Sequence, residues 1–186
     1  MTDTPRKLRL FVALDLPEPA RDALAALGAA ADAGAWRPVA RQALHVTLAF
    51  LGARPPEDVE RIAPIVAAEA GGAAPALALG AALLLPPRRA RVLTVALDDR
   101  TRALATLQAR VSANLAEAGV YTPEKRAFRA HVTIGRLRPR VRPPRTGALE
   151  PPALHFHGAA VTLYVSRLHP SGARYEPLAT APLDAS

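Results

Sequence analysis

Two copies of one short pattern, a histidine followed two residues later by a threonine, carry the residue types best suited to chemistry in this 186-residue chain. The copies are His45-Val46-Thr47-Leu48 and His131-Val132-Thr133-Ile134, so the histidines lie 86 residues apart, from position 45 to position 131. Polar and apolar residues alternate in both, which predicts half-buried strands with histidine and threonine on one face. Two such strands facing one another would line a cleft with two imidazoles. One imidazole can then accept a proton while the other donates one.

The composition argues against several other kinds of site. The chain has no cysteine, which excludes disulfides, zinc–thiolate centres and cysteine nucleophiles. His155 and His157 alternate on a predicted strand without a third ligand, so we expect no metal, and nothing resembles a glycine-rich phosphate loop or indicates another cofactor. No segment reads as a signal peptide or a membrane span, and we expect a cytoplasmic protein that does not bind membranes.

The positive charge has two interpretations that stay open. The net charge of +8 is carried mostly by arginine, which is typical of proteins that bind polyanions, but a genome rich in Ala, Arg and Pro codons would give the same composition. Arg88, Arg89 and Arg91, with a cluster from Arg138 to Arg145, either contact an RNA backbone or form a solvated surface.

The elements that position the two motifs follow from periodicity and from turn residues. Strands are predicted at residues 8–14, in both motifs, with the first motif strand ending at Leu51-Gly52, at 77–85 and 91–97 as a hairpin, and at 154–157, 161–167 and 174–178. Helices are predicted from residue 17 to the early thirties, after the start signal Asp15-Leu16-Pro17-Glu18, and from about residue 57 to Gly71. A third helix, with Asp98 or Asp99 as its cap, is predicted along the stripe Leu104, Leu107, Val111 and Leu115. The sequence 36–39 is predicted to be a short connection, and residues 138–152 an exposed loop.

The order strand, helix, motif strand thus occurs twice, which indicates an internal duplication. We predict an α+β fold over residues 1–186 as one monomeric domain with two pseudo-symmetric lobes. Each lobe would be an antiparallel sheet with helices on its outer face, and the two lobes would surround a central cleft.

The paired motifs resemble the H-x-T-x motifs of the 2H phosphoesterase superfamily. The resemblance extends to residues 8–14, to Trp36-Arg37-Pro38-Val39, to Phe50-Leu51-Gly52, and to residues 163–168 and 172–178. These segments are similar to the bacterial and archaeal RNA 2',3'-cyclic phosphodiesterases, also called 2'-5' RNA ligases. Valine at the second motif position and Ile134 in place of leucine are conservative departures.

The resemblance implies roles for six residues. His45 would be the proton donor and His131 the proton acceptor, and no metal would take part. Thr47, Thr133 and Arg136 would bind the phosphate, while Phe50 and Arg136 would hold the base between them. Strict strand alternation turns the fifth residue after each histidine to the opposite face, so these last roles require a bend near Gly52 and Gly135. A core position for Phe50 and Trp36 is the structural alternative.

The implied reaction is hydrolysis of RNA 2',3'-cyclic phosphate ends to 2'-phosphate ends, with reverse 2'-5' ligation possible. RNA with such ends would be the partner. Two other functions remain open. One is a phosphodiesterase for a small cyclic nucleotide or for 2'-5' oligoadenylate. The other is a non-catalytic module that binds RNA or nucleotides, although a binder needs no acid and base.

Overall fold

The computed structural model describes residues 7–144, 149–169 and 172–185. In chain order the elements are β1 (Leu8–Asp15), α1 (Glu18–Ala30), β2 (Trp36–Pro38), β3 (His45–Arg54), α2 (Asp58–Ala67), β4 (Ala76–Leu85), β5 (Val92–Asp98), α3 (Ala103–Glu117), β6 (His131–Leu137), β7 (His155–His157), β8 (Ala160–His169) and β9 (Gly172–Pro182). Within this part of the chain, no helix has the length and apolar character needed to cross a membrane.

The strands form two antiparallel sheets. Sheet A has the order β3-β1-β8-β9 and sheet B the order β2-β6-β5-β4-β7. In each sheet the motif strand, β3 or β6, pairs with the strand that precedes a helix, β1 or β5. The series β3-β1-β8-β9 therefore corresponds to β6-β5-β4-β7, with β2 as an addition. This arrangement confirms the predicted α+β fold with two pseudo-symmetric lobes.

The helix α3 shows how a local sequence pattern becomes packing. Its stripe of leucine and valine is buried, as the 3.6-residue period predicts. The carboxylate of Asp99 accepts hydrogen bonds from the backbone N–H groups of Leu104 (3.3 Å) and Ala105 (2.9 Å), so this aspartate caps the first turn as predicted. Gly119, with φ of 69°, ends the segment in the left-handed conformation that glycine accepts most easily.

The helices tie the two lobes together. Helix α3 follows a strand of sheet B but packs on β3 of sheet A, where Gln108 Nε2 donates to the Leu48 carbonyl at 3.2 Å. Helix α1 follows a strand of sheet A but packs on β6 and β2 of sheet B. Each motif strand is thus covered by the helix from the other half of the repeat, while α2 packs on β8 and β9. Buried residues of both sheets belong to one hydrophobic core.

Several predicted boundaries were wrong, among them the end of the second helix, which lies at Ala67 and not at Gly71. Residues 36–38 form strand β2 instead of a connection, because Trp36 pairs with Leu137 on β6 and buries its ring in the core. Strand β3 does not stop at Gly52 but continues to Arg54, since Gly52 accepts a φ of 73° and stays paired with Leu10. The closing strands β8 and β9 are longer than predicted, because the residues at the ends of each strand also pair across their hairpin. Within the predicted loop, residues 138–144 and 149–152 hold no strand; Arg145 lies outside the described residues.

The contact between α1 and β6 gives a stability test. An alanine Cβ at Gly28 would lie 2.8 Å from the backbone carbonyl oxygen of Ile134. Replacing glycine by alanine inside a helix normally stabilises a protein by about 0.5–1 kcal/mol. We expect Gly28→Ala instead to lower the free energy of unfolding by about 1–3 kcal/mol, because the collision forces the helix away from the sheet.

The measurement is the midpoint of urea unfolding. Exposed Ala29 on the same helix provides the control, and Ala29→Gly should cost about 1 kcal/mol from helix propensity alone. A Gly28→Ala protein more stable than wild type would show that α1 does not press on β6.

Candidate active site

Both motif histidines are held in the same orientation. His45 Nδ1 donates a hydrogen bond to the carbonyl of Ala43 at 2.8 Å, and His131 Nδ1 donates to the carbonyl of Arg129 at 2.7 Å. A carbonyl oxygen can only accept, so in both rings Nδ1 carries the hydrogen. Nε2 is therefore the nitrogen left to exchange a proton with a ligand. Thr47 Oγ1 lies 3.1 Å from His45 Nε2.

The two motif strands also contain a β-bulge at the same place. On β3, Thr47 pairs with Ala13 and Ala49 with Val12, so Leu48 is an extra residue without a partner. On β6, Thr133 pairs with Thr94 and Gly135 with Leu93, so Ile134 is the extra residue. Each bulge comes directly after the motif threonine, and an extra residue reverses the alternation of faces that follows it.

The bulges bring the fifth residue after each histidine to the histidine's own face. Leu48 and Ala49 are both buried, and the next side chain, Phe50, is 44% exposed. Likewise Ile134 and Gly135 are buried and Arg136 is exposed. The bend that the predicted roles of Phe50 and Arg136 require is therefore present, and a core position for Phe50 is wrong. The core position of Trp36 is confirmed.

The two motifs meet at one place because β3 and β6 lie against each other. The positive charge of Arg136, on sheet B, is close enough to lower the pKa of His45, on sheet A. The two motif strands, with their histidines and threonines, thus lie next to each other in the fold.

On sheet A, aromatic rings support His45. The Phe11 ring lies 4.9 Å from the imidazole, and the Tyr175 ring meets the imidazole edge-on at 5.3 Å. The Tyr164 ring stacks on the Phe11 ring, with 5.3 Å between the ring centres. Within the described residues no such ring contact is found for His131, so the two histidines differ in environment although their Nδ1 hydrogen bonds match.

A buried carboxylate, Asp15, completes the surroundings of His45. Asp15 pairs with His45 across the β1–β3 ladder. Its oxygens accept hydrogen bonds from Tyr164 Oη (2.8 Å) and Thr162 Oγ1 (2.7 Å), and the Arg21 guanidinium lies at 3.7 Å. Burial and this carboxylate raise the pKa of Tyr164 to about 12, so the phenol stays protonated and donates. Sequence reasoning used Asp15 only as a helix-start signal and missed this role.

The environment lowers the pKa of His45 below 6.5. Burial has the largest effect, because desolvation disfavours the imidazolium. The hydrogen bond to the Ala43 carbonyl and the negative charge of Asp15 oppose it, whereas the positive charges of Arg136 and Arg21 add to it. In the free protein this environment favours the neutral imidazole over the imidazolium.

The exposed Phe50 ring borders a cavity of about 300 Å³ that Arg54, Tyr121 and Thr122 also line. The Arg9 guanidinium lies over one face of the ring, 4.7 Å from its centre. His155 and His157 are exposed on β7 at a separate cavity, and the described part of the chain contains no cluster of three or more His, Asp or Glu side chains that could hold a metal ion.

Comparison with known proteins identifies phosphoesterases as similar proteins. Residues 14–94 match the family model described as LigT like Phosphoesterase, a range that contains the first motif. A search among curated proteins finds no match. The solved structure of a phosphoesterase is 30% identical, with a TM-score of 0.72 over 95% of this chain and 98% of that chain.

Two further solved structures align with nearly the whole chain. The protein TT0787 of Thermus thermophilus has a TM-score of 0.79 at 27% identity, over 96% of this chain and 99% of its own. LigT of Escherichia coli, in complex with 3'-AMP, has a TM-score of 0.75 at 28% identity, over 95% of this chain and 98% of its own.

The surroundings of His45 give a test that needs no ligand. We expect an NMR titration of the imidazole protons to place the pKa of His45 below 6.5 in the wild type. Asp15→Asn should lower it further, because the substitution removes a negative charge that favours the imidazolium. Tyr164→Phe keeps the carboxylate and serves as the control, with a smaller change. A pKa of His45 that is the same in Asp15→Asn and wild type would show that the carboxylate does not act on this ring.

Proposed function

Because the chain belongs to the LigT-like phosphoesterases, phosphodiesterases of the 2H phosphoesterase superfamily, we propose that it hydrolyses 2',3'-cyclic phosphate ends of RNA to 2'-phosphate ends. The observation that carries this proposal is the matched pair of histidines. Each has Nδ1 bound to a backbone carbonyl and Nε2 left for proton transfer, on strands that lie against each other. The binding of 3'-AMP by the Escherichia coli relative supports a nucleotide in this cleft.

Opening the cyclic ester requires two proton transfers. His131 Nε2 takes a proton from water as the water oxygen attacks phosphorus, and the bond from phosphorus to the 3'-oxygen breaks. His45 Nε2 gives a proton to the departing 3'-oxygen, which leaves the phosphate on the 2'-oxygen. Each positioned transfer typically contributes about 10² to 10⁴ in rate, and no covalent intermediate is required.

The lowered pKa of His45 is compatible with its role as the acid once the substrate is bound. An acid must carry its proton, and a lowered pKa reduces the protonated fraction in the free enzyme. The negative charge of the bound phosphodiester acts in the opposite direction and raises the pKa, because it stabilises the nearby imidazolium. A histidine with a lowered pKa also gives up its proton more readily in the transition state.

The remaining side chains of the cleft act on charge and on the base. The hydroxyls of Thr47 and Thr133 donate hydrogen bonds to the non-bridging oxygens as negative charge develops on them. Arg136 neutralises the same charge and stacks on one side of the base, opposite the Phe50 ring. Phe50 can accept a base on one face only, because Arg9 covers the other.

The same site can join RNA ends. If a ribose 5'-hydroxyl replaces water, His131 takes the proton of that hydroxyl and the 3'-oxygen leaves as before. The product is a 2'-5' phosphodiester. Ligation and hydrolysis therefore share their acid, base and phosphate contacts, and the concentration of 5'-hydroxyl ends against water decides between them.

The two histidines can be distinguished by changing the leaving group. A ribose oxygen needs a proton to depart, whereas a nitrophenolate does not, so a nucleoside phosphodiester with a nitrophenyl group bypasses the acid but not the base. We expect His45→Ala to lose about 10² to 10⁴ in kcat/KM on the cyclic nucleotide and to recover much of it on the nitrophenyl ester. His131→Ala should stay poor on both. The reverse pattern would exchange the roles, and equal recovery in both variants would contradict fixed roles.

The guanidinium of Arg136 gives a second test. Arg136→Lys keeps the charge but removes the planar group that binds phosphate and stacks together, so kcat/KM on a 2',3'-cyclic nucleotide should fall about 10- to 100-fold, equivalent to about 1.5–3 kcal/mol of charged hydrogen bonding. Arg140→Lys, on the following loop, is the matched control and should have little effect. Equal kinetics of Arg136→Lys and wild type would place Arg136 outside the site.

A further inference from the structure

Two groups can be distinguished among the arginines of this chain by their place and their partners. Seven form ion pairs with carboxylates and stabilise the surface locally: Arg21, Arg41, Arg54, Arg61, Arg100, Arg110 and Arg167. A second group lies at one end of sheet B and is here named the arginine ridge. It consists of Arg37, Arg88, Arg89, Arg91, Arg138 and Arg140, and within the described ranges none of the six has a carboxylate partner in an ion pair.

Strand pairing places the arginine ridge beside the cleft. Arg37 on β2 pairs with Arg136 on β6, Arg136 pairs with Val92 on β5, and Val92 pairs with Leu85 on β4. These four residues form a row across the sheet, and the hairpin tip with Arg88 and Arg89 follows Leu85 directly. Three strand spacings of about 4.8 Å make the row about 14 Å long.

The backbone fixes the next row as well. The Leu137 N–H donates to the Arg91 carbonyl, and the Arg138 N–H donates to the Ala35 carbonyl, both at 2.9 Å. Arg138 also anchors its side chain, because its Nε donates to the Ala33 carbonyl at 2.9 Å. Asp32 directly precedes Ala33 in the sequence, and its Oδ1 accepts a hydrogen bond from the backbone N–H of Gly34. The ridge arginines thus lie at the ends of neighbouring strands of sheet B, on both sides of Arg136. In the described structure none of them is neutralised by an ion pair with a carboxylate.

We propose that the arginine ridge binds the phosphate backbone of the RNA strand upstream of the cyclic end, so that the enzyme prefers oligonucleotides to mononucleotides. The inference rests on the proposed function, which places the last nucleotide against Arg136. Polyanions bind to unpaired cations by releasing counterions, whereas arginines already paired with carboxylates gain less. A strand that leaves the cleft past Arg136 toward the hairpin tip crosses β5 and β4, whereas Arg37 lies on the opposite side of Arg136. Two strand spacings of about 4.8 Å give about 10 Å, which at about 3.4 Å per nucleotide along a stacked strand corresponds to about three phosphates.

The test compares two ridge arginines with two exposed arginines elsewhere. Arg88→Gln with Arg89→Gln removes two charges from the hairpin tip, away from the reacting groups. Arg102→Gln with Arg174→Gln removes the same charge from exposed positions outside the ridge and serves as the control. Binding of a labelled ten-nucleotide RNA with a 2'-phosphate end is measured by fluorescence anisotropy at several salt concentrations. The kcat/KM is measured for a 2',3'-cyclic mononucleotide and for the same RNA with a cyclic end.

We expect the wild type to show a slope of about 2 in the plot of log Kd against log salt, from about three phosphate contacts at about 0.7 each. The ridge double variant should lose about 1.4 of that slope and most of the preference for the oligonucleotide, with unchanged kcat/KM on the mononucleotide. The control variant should retain the slope. Equal slopes in the ridge variant and the wild type would overturn the proposal.

The two proposals fail in different ways. If the enzyme turns over the mononucleotide but the hairpin-tip substitutions do not weaken RNA binding, the ridge proposal is wrong and the proposed reaction stands. If RNA binding depends on the ridge but no cyclic phosphate is opened, the proposed reaction is wrong and the ridge stands as an RNA-binding surface. If the ridge variant instead loses binding to vesicles of anionic lipid as strongly as binding to RNA, the ridge is a general polyanion surface and its assignment to the substrate strand is wrong.

Discussion

The matched bulges at Leu48 and Ile134 are the constraint on which the site depends. A regular strand would place histidine and threonine in the cleft but bury the fifth residue, because alternation has a period of two. One extra residue after each threonine shifts that period and adds Phe50 on one side and Arg136 on the other. The bulged residues themselves are buried, Leu48 at 3% and Ile134 at 1% exposed, so the core holds the irregularity in place. Packing therefore enforces the geometry of the cleft.

The two lobes are alike in how they hold their histidines and differ in what surrounds them. Both histidines donate through Nδ1 to a backbone carbonyl, which fixes the same tautomer in both lobes. Around His45, however, sheet A supplies two aromatic contacts and the buried carboxylate of Asp15. Burial lowers the pKa of His45, and the charge of Asp15 opposes this shift. The exchange of helices between the lobes then makes the relative position of the two histidines part of one hydrophobic core, since each motif strand is covered by the opposite half of the repeat.

Much of this could be predicted from the sequence, because alternation and amphipathic stripes are local. Both motif strands, the hairpin, the cap at Asp99 and the two-lobed fold follow from patterns of a few residues. The requirement for a bend followed from Phe50 and Arg136, but its position at Leu48 and Ile134 depends on strand pairing. Asp15 was missed because an aspartate before a proline is a sufficient helix-start signal, and its contacts with Tyr164 and Thr162 join residues about 150 positions apart. Strand β2 was missed because three residues that include Pro38 give no periodic signal.

The central claim is that the two histidines open a cyclic phosphate toward the 2' side. The most direct measurement is ³¹P NMR of a nucleoside 2',3'-cyclic phosphate during incubation with the enzyme in the presence of chelator. The account predicts a single product resonance, that of the 2'-phosphate, with wild-type protein and none with a His45→Ala, His131→Ala double variant. A 3'-phosphate product, turnover by the double variant, or a cyclic phosphate left intact by the wild type would contradict it.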